Sequence, residues 1–246
     1  MLLKSVKFDL QLIPMLQNRL FKRIFQKLTG KYYTISYSQT GEDSIIDFFI
    51  KAKGISAFTY LDIGANHPTK LSNTYKFYEQ GFRGVCIEPD PEVFAVLKNK
   101  RGGDICLNVG ISDNEKERQD FFVMENPLLN TFSKEEADFM VQSGQAKIRH
   151  VLQIPLIRIG NLLDRYFPAQ APVMVNLDVE GIDELVLRDF PFSRYRPAIF
   201  CIETVQLSAD ASSAKHTRIF DLMKINRYRV FADTYVNTIF VDADKY

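Results

Sequence analysis

The sequence is poor in cysteine and histidine, with three of each among 246 residues, and it has no tryptophan. Cys86, Cys106 and Cys201 each lie inside a short apolar run, where a free cysteine behaves as a small buried hydrophobic residue. An odd number of cysteines without metal-ligand spacing argues against both a disulfide framework and a zinc site. We therefore expect a reducing, cytoplasmic setting.

Long apolar runs and a strong net charge are also absent. No run approaches the roughly 18 to 20 apolar residues that span a bilayer. Lys4, Lys7 and Asp9 interrupt the apolar N-terminus, so no signal peptide is expected. The formal net charge of +1 gives no electrostatic argument for a nucleic-acid partner, and none is expected.

The length suits one large domain, which we place at residues 36–246, preceded by a basic segment at residues 1–35. Four apolar residues of that segment recur at helical spacing: Leu16, Leu20, Ile24 and Leu28. Three interpretations of the segment remain open. It is a helix packed on the domain or on a partner protein, a helix lying on an anionic membrane surface, or a flexible leader.

Two apolar segments that end in acidic residues are the most informative feature of the chain. Tyr60-Leu-Asp-Ile-Gly-Ala-Asn66 predicts a strand that stops at Gly64, where the missing Cβ allows a tight turn near a ligand. Val85-Cys-Ile-Glu88 predicts a second strand with an acid at its tip, a position suited to a ribose diol. The pair indicates a nucleoside-binding α/β domain.

The loop after the first strand narrows the choice of ligand. Its sequence, Gly64-Ala-Asn-His-Pro-Thr69, has one glycine and a proline, whereas a pyrophosphate site needs Gly-x-Gly-x-x-Gly. No Gly-x-x-x-x-Gly-Lys-Ser/Thr loop occurs anywhere in the chain. A ligand with a ribose and no phosphate suits this loop, and S-adenosylmethionine (SAM) is the common one.

Apolar strands alternate with helical segments from Phe58 onward, which predicts a doubly wound, mostly parallel α/β sheet of the Rossmann-like type. A closing antiparallel hairpin is expected at residues 228–232 and 236–242. The run from Asn126 to His150 breaks the alternation, and we interpret it as an insertion that closes over the bound substrate as a lid.

Several stretches resemble the FkbM-type SAM-dependent methyltransferases, in the same order and from about residue 36 to about residue 241. They are Ser38-Gln-Thr-Gly-Glu-Asp43, Tyr60-Leu-Asp-Ile-Gly-Ala-Asn66, Ser72-Asn-Thr74, Gly81-Phe-Arg-Gly84, Cys86-Ile-Glu-Pro-Asp90 and Asn176-Leu-Asp-Val-Glu-Gly181. The resemblance implies the class I methyltransferase fold, SAM as cofactor, and O-methylation of a hydroxyl on a sugar, a glycan or a secondary metabolite.

Polar residues at the predicted strand ends are the candidate cofactor ligands, because ligands of such sheets bind beyond the carboxyl ends of the strands. Asp62 and Gly64 are expected under the methionine part of SAM, and Glu88 at its ribose. The resemblance adds Gly110-Ile111-Ser112 as the adenine edge, and it suggests that Gln39 and Glu42 fold over the pocket. The remaining candidates are neighbours of these positions: Ala65, Asn66, Pro89 and Asn108.

Two hypotheses for deprotonating the acceptor hydroxyl remain open. His67 follows the glycine turn and suits a general base that works near neutral pH. Alternatively, Asp178 and Glu203 hold a magnesium ion that acidifies the hydroxyl, although the scarcity of carboxylates favours a site without metal. Glu180 is a further candidate at this rim, and it equally suits the N-terminus of the next helix.

Two other classes of function stay possible on this pattern. One is an NAD-dependent or nucleotide-sugar enzyme, which the single-glycine loop disfavours. The other is a non-catalytic nucleoside-binding or scaffold protein.

Overall fold

The computed structural model describes residues 27, 28, 30, 34–112, 116–179, 181–206 and 214–246. The chain divides into two compact units, Met1–Ile35 and Ser36–Tyr246. The helices and strands described below belong to the second unit. The helical pattern expected for the N-terminal segment lies almost entirely outside the described residues. No helix in the described part of the chain is long and apolar enough to cross a membrane.

Helices and strands alternate through the first half of the second unit. In chain order they are α1 (Glu42–Ala52), β1 (Thr59–Ile63), α2 (Tyr75–Glu79), β2 (Arg83–Ile87), α3 (Pro91–Lys100), β3 (Ile105–Leu107), β4 (Gly110–Ser112), β5 (Arg118–Met124), a 3-10 turn (Pro127–Leu129), α4 (Lys134–Gln142) and β6 (Ile148–Arg158).

The second half continues with α5 (Ile159–Tyr166), β7 (Met174–Leu177), α6 (Asp183–Asp189), β8 (Ile199–Glu203), β9 (Val205–Gln206), β10 (Ala214–Lys215), α7 (Thr217–Ile225), β11 (Tyr228–Asp233) and β12 (Asn237–Asp242).

The central sheet has seven strands in the order β11-β12-β8-β7-β1-β2-β3. Strands β8, β7, β1, β2 and β3 pair in parallel, while β12 pairs antiparallel with both β8 and β11. The doubly wound α/β sheet with an antiparallel C-terminal hairpin, which the sequence predicted, is therefore confirmed. The order reverses beside β1, so the carboxyl ends of β1, β2, β7 and β8 form one continuous rim.

Side chains of the central strands are buried on both faces of the sheet, which is why these strands appear as unbroken apolar runs in the sequence. One core layer contains Leu61, Ile63, Leu177 and helix α5. The opposite layer contains Tyr60, Met174, Cys201 and helix α1. Cys86 and Cys201 are fully buried as free thiols, which agrees with their expected role as small hydrophobic residues.

The first turn of α3 is capped by an acidic side chain. Asp90 accepts hydrogen bonds from the backbone N–H groups of Glu92 and Val93, and Pro91 occupies the first helical position. Helix α2 begins only at Tyr75, after a turn that includes Ser72. Ser72 accepts hydrogen bonds from the backbone N–H groups of Thr74 and Tyr75, so these residues form a buried turn instead of a helical one.

The segment interpreted as an insertion is more regular than the sequence suggested. Strand β5 pairs antiparallel with β6, and β6 pairs in parallel with β4, which gives a second, three-stranded sheet. Only the 3-10 turn and α4 lie between β5 and β6. Helix α4 packs through Ala137 and Met140 against Phe122 and Met124.

Candidate active site

A cleft opens along the rim formed by the ends of β1, β2, β7 and β8. The candidates that line it are Gln39, Asp62, Gly64, Ala65, Asn66, Glu88, Pro89, Asp178 and Glu203. Its other lining residues are Lys70, Leu71, Ser72, Asn73, Phe121, Pro127, Leu128, Leu129, Asn130, Thr131, Phe132, Asn176, Val179 and Val236. Strand topology therefore brings together the acids of four separate segments.

Gly64 turns the chain at the end of β1 with a φ of +80°, a conformation that favours glycine. Its N–H and that of Ala65 both donate to the carbonyl of Ile87, which ties the turn to β2. A Cβ at this position would overlap the backbone carbonyl of Asp178. The physical reason for a glycine is thus the close approach of the chain after β7, whereas the sequence argument invoked the approach of a ligand.

Glu88 lies at the tip of β2, where its carboxylate is held by the backbone. Oε2 accepts a hydrogen bond from the N–H of Asn66 at 2.8 Å, and Oε1 accepts one from the N–H of Asp90 at 2.8 Å. Burial raises its pKa to about 8, although these two hydrogen bonds act in the opposite direction. Each oxygen keeps acceptor capacity for a donor in the cleft.

Asp62 is nearly inaccessible and belongs to a buried hydrogen-bond network. Its Oδ1 accepts from the side-chain amide of Asn176 at 2.9 Å, and its Oδ2 accepts from the hydroxyl of Thr74. Asn73 donates in turn to the amide oxygen of Asn176 at 2.9 Å. Burial raises the pKa of Asp62, and the positive charge of Arg101 lowers it. Asp62 therefore organises the floor of the cleft.

Arg101 supports this floor from below and was missed by the sequence analysis. Its side chain is fully buried, with Nε at 2.8 Å from Asp104 and Nη2 at 3.0 Å from the hydroxyl of Tyr60 and 3.1 Å from that of Thr74. Because Arg101 can only donate, Thr74 must direct its own proton to Asp62. The i,i+3 pairing of Arg101 with Asp104 between α3 and β3 was the available sequence signal.

Asp178 and Glu203 form the acidic part of the rim on the far side of β1 from Glu88. Burial raises the pKa of Asp178 to about 6, while a hydrogen bond with Glu203 lowers it and the nearby Asp62 raises it further. Two carboxyl groups can share a hydrogen bond only when one of them carries a proton. The pair can therefore hold and release a proton near neutral pH.

His67 does not line the cleft. Its Nδ1 accepts hydrogen bonds from the backbone N–H groups of Thr69 at 3.2 Å and Lys70 at 3.0 Å. Burial and the positive charge of Lys70 lower its pKa, which favours the neutral ring that this arrangement requires. The nitrogen that could accept a proton already accepts these two hydrogen bonds. The geometry therefore favours a structural role for His67 in its own loop over a role as general base.

Gln39 and Glu42, which the resemblance placed together, have different surroundings. Gln39 is exposed and lines the cleft. Glu42 is fully buried and does not line the cleft, and it accepts hydrogen bonds from Thr40, Thr234 and Asn237. Burial by itself raises the pKa of Glu42, but these hydrogen bonds outweigh it and bring the pKa to about 2. Glu42 connects the start of α1 to the turn between β11 and β12.

The predicted adenine edge does not line the cleft. Gly110-Ile111-Ser112 forms strand β4, which pairs with β6, and all three residues are buried. Phe132 packs so closely on Gly110 that a Cβ there would overlap its ring. Asn108 also lies outside the lining and donates to the carbonyls of Glu88 and Pro89 at 2.9 and 2.8 Å. Glu180 lies outside the described residues.

A metal site is not evident in the part of the chain that the structure describes. There, no three His, Cys, Asp or Glu side chains come together as a group able to hold an ion. Asp178 and Glu203 lie close together, but they contribute only two carboxyl groups.

The fold and the rim define the class of protein. A doubly wound sheet with a hairpin at β11 and β12, a glycine turn after β1 and a buried acid after β2 is the arrangement of class I methyltransferases. The sequence profile of the methyltransferase FkbM domain matches residues 62–230. The chain belongs to the FkbM methyltransferase family, and the resemblance seen in the sequence is confirmed.

No curated protein matches the chain. Among solved structures, a TehB-like SAM-dependent methyltransferase from Corynebacterium glutamicum is 10% identical with a TM-score of 0.42, covering 91% of this chain and 96% of its own. Magnesium protoporphyrin IX methyltransferase with bound SAM, from Synechocystis PCC 6803, is 9% identical with a TM-score of 0.41, covering 96% and 97%.

Proposed function

We propose that this protein is a SAM-dependent O-methyltransferase whose acceptor is a hydroxyl of a sugar, a glycan or a secondary metabolite. The observation that carries the proposal is the arrangement of acids along the rim. A backbone-held carboxyl group, Glu88, stands at one end of the cleft, and a proton-sharing pair, Asp178 and Glu203, stands towards the other. The family supports methyl transfer, and the nature of the acceptor rests on the family resemblance alone.

The residues on the Glu88 side suit the nucleoside part of SAM. Both oxygens of Glu88 are oriented by backbone N–H groups and retain lone pairs for the two hydroxyls of a ribose. The turn at Gly64 and Ala65 borders the same part of the cleft, beside Asp62. These residues would hold the cofactor, and the cofactor would supply an electrophilic methyl group.

The carboxyl pair suits the acceptor side of the reaction. When the hydroxyl oxygen forms its bond to the methyl carbon, the hydroxyl proton needs a destination. Asp178, with a pKa raised to about 6, is a stronger base than an ordinary aspartate and is still largely ionised at pH 7.5. We therefore propose Asp178 as the base, with no metal ion, in place of His67.

Calorimetric titration with SAM and with S-adenosylhomocysteine (SAH) tests the cofactor. We expect both to bind the purified protein, and we expect Glu88→Gln to weaken both because an amide can accept at only one of the two oxygen positions. A thermal melt establishes that the variant is folded. Binding of NAD or of a nucleotide sugar, with no binding of SAM or SAH, would contradict the proposal.

Release of SAH in the presence of hydroxylated sugars, glycans and small metabolites tests the reaction. We expect turnover with at least one class of acceptor, unchanged by a metal chelator. If chelation abolishes turnover and magnesium restores it, the carboxyl pair serves as a metal site, and our assignment of Asp178 as a base is wrong. Tight SAM binding without turnover on any acceptor would favour a non-catalytic nucleoside-binding protein.

A further inference from the structure

The loop between β5 and α4 is fastened to the two residues that also hold Glu88. The backbone N–H groups of Asn66 and Asp90 donate to the two oxygens of Glu88. The side chain of Asn66 also donates to the carbonyl of Pro127 at 3.3 Å, and Asn130 donates to the second carboxylate oxygen of Asp90 at 2.9 Å. Glu88 and this loop therefore share both of their supports.

This loop presents apolar side chains to the cleft beside two polar ones, Asn130 and Thr131. We call Pro127, Leu128 and Leu129, together with Phe121 and Phe132, the apolar wall, since all five line the cleft. The rings of Phe121 and Phe132 pack with centroids 4.6 Å apart, and Phe132 is braced from behind by Gly110. Leu128 is 45% exposed, so a large apolar side chain faces the open cleft.

The position of Pro127, Leu128 and Leu129 along the rim separates this part of the wall from the proposed base. Strand β1 lies between β2, which carries Glu88, and β7, which precedes Asp178. Neighbouring strands are about 4.8 Å apart, so the tips of β2 and β7 are separated by about 10 Å. The tethers at Asn66 and Asp90 therefore place Pro127, Leu128 and Leu129 of the wall at the Glu88 end.

We propose that the apolar wall receives the purine base of the cofactor, an inference that rests on the function proposed above. A base joined to a ribose at Glu88 lies within one sugar ring of that carboxylate, and its apolar faces match Leu128 and its neighbours. Residues 127–130 then belong to the cofactor side of the cleft. The wall takes the place of the adenine edge at Gly110-Ile111-Ser112, and this part of the loop is not an acceptor lid.

Substitution of Leu128 tests the wall by calorimetry with SAH and with adenosine. We expect Leu128→Ser to weaken both ligands by about 5- to 20-fold, the scale of losing one apolar side-chain contact. Leu185→Ser is the matched control, because Leu185 is 43% exposed on α6 and does not line the cleft. Both leucines are exposed, so neither variant should lose its fold.

The outcomes separate this inference from the proposed function. Failure of the unmodified protein to bind SAH contradicts the proposed function. Normal SAH binding by both the unmodified protein and Leu128→Ser contradicts the inference that the apolar wall receives the purine base. If Leu128→Ser binds SAH normally but raises the KM of a methyl acceptor, the wall faces the acceptor, and our inference is wrong.

The absence of tryptophan allows an independent measurement. Leu128→Trp introduces a single indole at the wall, and Leu185→Trp introduces one at the control position. We expect SAH to change the emission of the first variant in a saturable manner, because a purine base would pack against the indole. The second should not respond. An unchanged Leu128→Trp spectrum, at SAH concentrations that saturate it by calorimetry, would contradict contact with the base.

Discussion

Gly64 is a single residue on which the geometry of the whole rim depends. The turn after β1 packs closely on the chain after β7 at this residue, because the missing Cβ leaves room for the carbonyl of Asp178. Its φ of +80° also suits glycine. We expect Gly64→Ala to lower the free energy of unfolding by about 2 to 5 kcal/mol, combining left-handed backbone strain with overpacking. Urea denaturation measures this difference.

Gly160 provides the matched control for Gly64. It lies in helix α5 with nothing within 4 Å of an added Cβ. Gly160→Ala should therefore raise stability by about 0.5 to 1 kcal/mol, since alanine favours the helix. If Gly64→Ala is as stable as the unmodified protein, the glycine turn does not pack on Asp178 as closely as described.

Asp178 links stability to pH through its raised pKa. A carboxyl with a pKa of about 6 in the folded protein, against 3.8 ordinarily, binds protons more tightly when folded. Its contribution to stability is fully present below about pH 3.8 and is lost as the pH rises through about 6. Asp178→Asn should therefore be more stable than the unmodified protein at pH 8, by about 1 to 3 kcal/mol.

Urea denaturation at pH 8 and at pH 4 checks this prediction, because the advantage of Asp178→Asn should disappear at the lower pH. As the proposed base, Asp178 should also give a turnover that falls below about pH 6. Turnover of Asp178→Asn should fall by about 10² to 10⁴ with SAH binding intact. Full turnover by this variant would show that Asp178 is not the base.

One conservative substitution tests whether His67 acts as a general base or only holds its own loop. Asparagine has a side-chain oxygen that can accept the same backbone N–H groups of Thr69 and Lys70. We therefore expect His67→Asn to retain turnover within a few-fold, with an unchanged pH profile. A loss of 100-fold or more with SAH binding unchanged would restore His67 as the base.

At the scale of elements, the buried network around Arg101 holds α3, β1 and the turn before α2 together. The guanidinium contacts Tyr60, Thr74 and Asp104 and is fully buried. Arg101→Met leaves the Asp104 carboxylate buried without its cation, and should lower the free energy of unfolding by about 3 to 5 kcal/mol. Chemical denaturation gives the value directly.

An exposed ion pair provides the comparison for Arg101. Arg149 lies 3.6 Å from Glu92, with both side chains largely in solvent. Arg149→Met should change stability by less than about 1 kcal/mol. Equal effects of the two substitutions would mean that the Arg101 network contributes no more than a surface pair.

At the scale of the whole molecule, ligand binding and folding are coupled because the cleft is assembled from four separate strand ends and the loop after β5. A ligand that needs all of them binds only the folded chain. SAH at 100 times its Kd should raise the free energy of unfolding by about 2.7 kcal/mol. A melting temperature that does not change with SAH concentration, although calorimetry shows binding, would contradict this coupling.

The sequence by itself determined the fold class, the succession of the main strands along the chain and which residues stand at the ends of those strands. These features are local, because apolar runs on both faces, Asp90 with Pro91 at a helix start, and Gly64 in a turn each leave a signature within a few residues. The positions of Asp62, Glu88, Asp178 and Glu203 on one rim followed from the parallel topology.

Only the tertiary structure decided which side chains share a contact. It engaged His67 with its own loop, buried Glu42 beside Thr234, and put Phe132 on Gly110 where an adenine edge was expected. It also joined Arg101 to Asp62 through Thr74. These contacts connect residues far apart in sequence, and their geometry depends on how strands and loops pack, which leaves no periodic signal in the chain.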